Sequence, residues 1–193
     1  KGTITTRDNT INSGDFCFEI RDGVYYLIGY YGDSECVIFP DTINGENYIV
    51  SDCCDLEYVK ELVVPNVLGM EYSAFYLCEN LEKLTIPYLG INSNNSCSLE
   101  QLFGSYGVDY KLQELIITHD KVFSQNNISK HAFRHLFKIT VPKTVEKVIG
   151  FSKNSAERVE ITNLSNVVIT NKYMNNGQSN LFYIDDFVFI KVD

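Results

Sequence analysis

The side chains able to do chemistry in this 193-residue chain are few and scattered. His131 and His135 stand at i and i+4, the spacing that brings two metal ligands onto one helix face. No H-E-x-x-H accompanies them and no third ligand stands nearby, so they read as polar residues framing a buried Phe133. His119-Asp120 lacks an obvious serine or cysteine partner, and no G-x-S-x-G supplies a nucleophile elbow. Asp185-Asp186 lies beside a turn, where carboxylates are solvated more often than paired for acid–base work. No Gly-rich phosphate loop occurs either. These residues assign no catalytic group, no metal and no cofactor.

The six cysteines are Cys17, Cys36, Cys53, Cys54, Cys78 and Cys97. An even count fits a disulfide framework in a secreted chain. Their placement favours thiols used as small apolar fillers: Cys78 stands three before Leu81, and Cys54 and Cys97 each precede an x-Leu. No C-x-x-C pair is present for a zinc ribbon or a thioredoxin-like site. The chain has 13 Tyr and 12 Phe, too many to be incidental. Phe75, Phe103, Phe133 and Phe151 read as core anchors. Tyr25, Tyr26, Tyr30, Tyr31, Tyr106 and Tyr110 are candidates for an exposed cluster suited to protein or glycan contact.

What positions these residues is a repeat. In Ala74–Pro87, Leu81, Leu84 and Ile86 stand six, three and one residues before Pro87. Val59/Leu62/Val64 precede Pro65 with that spacing, as do Leu112/Leu115/Ile117 before Thr118 and Leu136/Ile139/Val141 before Pro142. Ala156/Val159/Ile161 before Thr162 continue it, and Phe189/Phe187/Ile184 before Ile190 are a looser match. Val37/Phe39 precede Pro40, but Ser34 takes the third apolar place; Phe16/Phe18 before Glu19 suggest a first, irregular coil. The last two apolar positions alternate with period two, the pattern of a strand with one buried face. Proline ends such a strand because it has no N–H for the ladder. A coil of roughly 20–30 residues cannot bury its apolar face alone, so the coils must stack and their strands pair in parallel.

The spacing also predicts two outward rows. Four residues before the reference position stand Glu61, Lys83, Glu114, Lys138 and Arg158, of which the first four alternate in sign. Beside them stand Ile38, Val63, Thr85, Ile116, Thr140 and Glu160, a mixed apolar and hydroxyl row that suggests a partner or a covering loop. Val63, Thr85, Ile116 and Thr140, with the charged Glu61, Lys83, Glu114 and Lys138, are the candidate partner-binding residues.

Taken in order, residues 1–13 are a polar lead-in, and residues 14–35 form an N-terminal cap. Within it Asp15–Tyr31 is a hairpin turning at Arg21-Asp22-Gly23. Residues 36–193 carry the coils, with an Asn-Gly turn at Asn44-Gly45 and a loop bulging from one edge between Pro87 and Thr118. The whole reads as one domain. Asp186-Phe187-Val188-Phe189 echoes Asp15-Phe16-Cys17-Phe18, which suggests a fragment of a longer tandem protein. The net charge of −9 argues against a nucleic-acid partner, and no apolar run reaches the ~20 residues of a membrane span. The polar start does not read as a signal peptide.

GYYGDSECVIFPDTING (29–45) followed by AFYLCENLEKLTIP (74–87) resembles the BspA-type leucine-rich repeat family of bacterial surface proteins. That family's pattern is G-Y-x-G, then I-P-x-T-I-N-G, then repeats of A-F-x-x-C-x-x-L-x-x-V-x-I-P. The likeness covers roughly residues 15–162. HAFRHLFKITVP (131–142) keeps Ala132-Phe133 but is shorter and lacks the cysteine, and residues 46–60 lack the Ala-Phe. The resemblance implies a leucine-rich-repeat solenoid of the α/β horseshoe class, mainly β: a curved, right-handed coil stack with a parallel sheet on one face. It also implies an extracellular or cell-surface setting and a non-catalytic adhesion role toward host matrix proteins or another cell surface. The expected chain is monomeric, without cofactors, and binds a protein or glycan. A structural spacer is the alternative, and a glycan-acting enzyme, with a pocket in loop 91–110, the remote one.

Overall fold

The apolar alternation of the repeat strands becomes the inner face of a parallel sheet. The computed structural model describes residues 9–54, 56–92, 94–104, 108–124, 128, 132–149, 159–165, 181–184 and 187–191. Its strands begin with β1 (Thr10–Ser13), β2 (Phe16–Arg21), β3 (Val24–Tyr30), β4 (Cys36–Ile38), β5 (Tyr48–Cys54), β6 (Glu61–Val63), β7 (Gly69–Met70), β8 (Lys83–Ile86), β9 (Gly90–Asn92) and β10 (Asn95–Ser96). After helix α1 (Leu99–Phe103) come β11 (Glu114–Ile117), β12 (Val122–Ser124), β13 (Lys138–Val141), β14 (Lys147–Ile149), β15 (Val159–Asn163), β16 (Leu181–Ile184) and β17 (Phe187–Lys191).

Eight strands form one sheet in the order β16-β17-β15-β13-β11-β8-β6-β4, parallel throughout except for the β16–β17 hairpin. Chain order and spatial order coincide from β4 to β15, so each coil returns to the same side and stacks on the last. The fold is thus a strand-rich, β-solenoid-like stack with little helix. Val37, Leu62, Leu84, Leu115 and Ile139 form one inner row in register. Phe39, Val64, Ile86, Ile117 and Val141 supply a second, and Val59, Leu81, Leu112 and Leu136 a third; all are buried. Burying one such side chain contributes ~1.5–3 kcal/mol.

The last coil departs from the predicted register by two residues. Ile161 pairs with Ile139, and Asn163 with Val141, so the strand ends before Leu164 rather than Thr162. Glu160, not Arg158, therefore aligns with Lys138, and Thr162, not Glu160, aligns with Thr140. The apolar ruler failed because the inner position after Ile161 is polar. Asn163 is buried there, its Oδ1 accepting from Ser165 N (3.0 Å) and Ser165 Oγ (2.6 Å). Phe187 and Phe189 pair with Val159 and Ile161, the alignment that the spacing predicts between these two coils. Ala156, Arg158 and Phe151 lie outside the described residues.

Across the core, β1-β2-β3-β5-β7 form a second sheet, antiparallel at β1–β2–β3 and parallel at β3–β5–β7. The β2–β3 hairpin turns at Asp22 (φ 50°) and Gly23 (φ 79°), both left-handed as a tight hairpin turn requires. Phe16–Arg21 is therefore a hairpin strand and not an irregular first coil. Thr10–Ser13, within the predicted lead-in, forms β1 on its outer side. Phe18 and Leu27 are fully buried, and Phe18 meets the buried Tyr48 edge-on at 5.1 Å. Asn44 (φ 53°) and Gly45 (φ 82°) make the predicted second turn, closed by mutual Ile43–Glu46 backbone bonds of 2.9 Å.

The echo at the C-terminus is structural as well as sequential. Leu181, Phe182, Tyr183 and Ile184 pair with Ile190, Phe189, Val188 and Phe187. Thr10, Ile11, Asn12 and Ser13 pair with Glu19, Phe18, Cys17 and Phe16. The offset is the same for every residue (181 − 10 = 171; 190 − 19 = 171). The two hairpins differ in their next neighbour: β2 continues antiparallel to β3, whereas β17 runs parallel to β15.

The segment between Pro87 and Thr118 is not a bulging loop. Ser98 and Gln101 form a reciprocal cap on α1, with Ser98 N donating to Gln101 Oε1 (2.8 Å) and Gln101 N to Ser98 Oγ (3.3 Å). Gly104 ends the helix at φ 70°, where an added Cβ would strike Ser73 Oγ. Leu99, Leu102 and Phe103 are fully buried, and Phe103 contacts the rings of Phe75, Tyr110 and Phe133 at 5.7, 4.6 and 5.3 Å. Among the described residues no helix is long and apolar enough to cross a membrane.

Candidate functional site

The parallel register fixes the outward face. Val63, Thr85, Ile116 and Thr140 lie side by side across β6, β8, β11 and β13, flanked by Ile38 and Thr162. Every member is β-branched, a type that holds few rotamers and suits a pleated surface. The central members are half-buried by one another, while Ile38, on the terminal strand, is 70% exposed. The neighbouring row is Glu61, Lys83, Glu114 and Lys138, continued by Glu160 in backbone register. Thus all eight candidate residues come together in two adjacent rows.

The charged row largely satisfies itself. Lys83 Nζ lies 2.9 Å from Glu61 Oε1, and Lys138 Nζ 3.1 Å from Glu114 Oε1. The hydrogen bond it donates to Glu61, with the charges of Glu61 and Glu114, holds the Lys83 ammonium above its ordinary pKa. One step toward the strand starts, Glu35, Lys60 and Glu82 repeat the alternation. Lys60 Nζ sits 2.9 Å from Glu35 Oε2, and its pKa is raised first by that bond and then by the Glu35 and Glu82 charges.

Ser34, the residue that breaks the first coil's apolar spacing, has a different task. Glu35 O accepts from Lys60 N and Glu61 N, and Phe39 N donates to Val63 O, so odd-numbered residues of this strand face β6. Cys36 and Ile38 consequently turn their backbone groups to the outer edge. Ser34 Oγ donates to Cys36 O (2.7 Å) and accepts from Cys36 N (3.2 Å), occupying both. Unpaired strand edges recruit other chains, and this contact blunts one.

The other chemistry-bearing residues are dispersed. Asp120 is buried, accepting from Leu89 N (3.0 Å) and Val122 N (3.3 Å) while its own carbonyl accepts from Thr144 Oγ1 (2.7 Å). Burial pushes its carboxyl above the usual range against the pull of those backbone donors. Nearby Tyr88 donates to Val67 O at 3.0 Å, and burial together with the Asp120 charge raises its phenol to about 12. His119 Nδ1 meets Thr118 Oγ1 at 2.8 Å. His135 bonds Asp109, as does Arg134; the Arg134 bond first, then that of His135, holds the Asp109 carboxyl below its usual range. His131 and Asp185-Asp186 lie outside the described residues.

Cys17, Cys36, Cys78 and Cys97 carry thiols, all but Cys36 buried; burial raises Cys97 to about 11. The side chains of Cys53 and Cys54 lie outside the described residues. Of the predicted exposed tyrosines, Tyr31 is exposed, Tyr25 and Tyr26 are half-buried, and Tyr30 and Tyr110 are core residues; Tyr106 is outside the description. Spacing missed Tyr58, 73% exposed at the strand starts beside Lys60. It is readable as a large residue seven before Pro65, just outside the apolar ruler. Searches against protein-family models, curated proteins and solved structures found no match to this chain.

Proposed function

We propose that the chain is a non-catalytic interaction module that docks a protein partner on the outward face of its parallel sheet. The observation carrying this reading is the β-branched row Val63, Thr85, Ile116 and Thr140, aligned across four adjacent strands. Such side chains lose little rotamer freedom on docking. The ion-pair row beside it would act as a polar rim, with Glu61, Lys83, Glu114 and Lys138 setting orientation more than affinity. The resemblance to BspA-type leucine-rich repeats supports a cell-surface or secreted bacterial setting and an adhesion role, with the coils as a curved leucine-rich-repeat scaffold. A spacer holding other domains apart is the second reading, favoured by the closure of the charged row on itself at 2.9 and 3.1 Å. An array of immobilised extracellular-matrix proteins, probed with the folded chain, separates the two. Saturable binding to one of them is the expected result; a uniform blank favours the spacer.

A further inference from the structure

At the strand starts, away from the outward face, the coils build a second feature. The buried row Val59, Leu81, Leu112 is flanked on both sides by solvent-facing positions. Seven residues before each coil's reference position stand Tyr58, Asn80 and Lys111; five before stand Glu35, Lys60 and Glu82. Together these six line a shallow depression of about 200 Å³. That is smaller than the ~300–1,000 Å³ of a drug-sized site and suits a single sugar ring.

The lining is ordered by its own bonds. Asn80 Nδ2 donates to Glu57 O at 2.8 Å, and Lys111 Nζ donates to Asn80 Oδ1 at 2.6 Å. Lys60 is held by Glu35 at 2.9 Å. Two carboxylates and two ammonium groups balance within the lining, so its own charges favour neither an anion nor a cation. It presents instead closely spaced donors and acceptors, the pattern that matches vicinal hydroxyls, which do both. Tyr58 adds an exposed ring whose face offers an apolar platform to sugar C–H groups, with a hydroxyl at its tip. The lining repeats with the strand spacing of ~4.8 Å. One strand beyond the Gln113 position, Phe137 is 52% exposed, a second ring along the same edge.

We infer that this depression is a saccharide subsite for a neutral, unbranched oligosaccharide lying across the strand starts, with Tyr58 as its stacking platform. It is separate from the face proposed above, so lysines at Thr85 and Ile116 leave it intact. The test is saturation-transfer NMR of the whole chain with cellotriose, xylotriose, maltotriose and tri-N-acetylchitotriose, beside a sulfated disaccharide control. At least one neutral oligosaccharide should give a saturable signal. Tyr58→Ala should weaken it about tenfold, Tyr58→Phe should retain most of it, and both should melt like the parent chain. Three outcomes overturn the assignment: no signal from any neutral oligosaccharide, binding of the sulfated control alone, or a Tyr58→Ala chain that binds as well as the parent.

Discussion

The eight-stranded sheet and the structure across the core from it are made by the same coils in alternation, yet they obey different rules. On the sheet side the coils of β6, β8, β11 and β13 repeat one solution: an outward charge, a buried aliphatic, an outward β-branched residue and a second buried aliphatic. On the other side, one turn of the solenoid uses a strand of a mixed sheet, another a two-residue strand, and a third the five-residue helix α1. The difference follows from hydrogen bonding. Parallel strands must keep register with both neighbours, and slipping by one residue would send every aliphatic side chain to solvent. Elements across the core need only fill volume and satisfy their own polar groups, which Ser98 and Gln101 do for α1.

If both sides share one core, damage to either should be equally severe. Leu84→Ala and Phe103→Ala are each expected to cost about 3–5 kcal/mol, read as a lowered midpoint in a single urea transition. A Phe103→Ala protein that unfolds in two steps would break the comparison by making the far side an independent unit. Asp120 sharpens it at the turn between β11 and β12. Asp120→Ala leaves the Leu89 and Val122 amides without their acceptor and should cost about 1–3 kcal/mol. Its pH dependence has a definite sign. Because the folded-state pKa is raised, the native state binds the proton more tightly, and the contribution to stability declines as pH rises from the ordinary carboxylate range through the raised value. Wild type compared with Asp120→Asn by urea titration should therefore look relatively more stable at acid pH than at neutral pH.

Smaller effects are expected on the outward face. Lys83→Glu sets three carboxylates side by side but in solvent, and should cost under about 1 kcal/mol, shrinking as salt is added. A larger loss that salt does not relieve would mean that the ladder holds the coils together. The smallest perturbation is chemical. Iodoacetamide, followed by peptide mass mapping, should modify the exposed Cys36 well before Cys97, whose thiol is buried and raised to about 11.

What was legible in the sequence follows the same division. The inner rows, both tight turns and the two outward rows from Glu61 to Lys138 could be read because each rests on a periodic or local rule. The last coil was misaligned because Asn163, satisfied by Ser165, sits where the rule expects an aliphatic side chain. The charges held the better signal: Glu160 beside Lys138 continues the sign alternation, whereas Arg158 would break it. Helix α1 was missed although Ser98-Leu99-Glu100-Gln101 has the spacing of a reciprocal cap. Tyr30 and Tyr110 could not be placed from spacing, since a tyrosine at the border of a core takes its burial from neighbours distant in sequence. Ser34 fills an apolar place of the ruler with a hydroxyl and Tyr58 stands outside the ruler, so spacing could not show what either one does.

The central claim, that the β-branched row is the docking face, is tested most directly by one titration. Wild type and a Thr85→Lys/Ile116→Lys double variant are titrated by surface plasmon resonance against whichever matrix protein the array identifies, with thermal midpoints measured in parallel. The account predicts loss of binding in the variant at a nearly unchanged midpoint. A variant that melts like wild type and binds as tightly would contradict it and remove this face from the interaction.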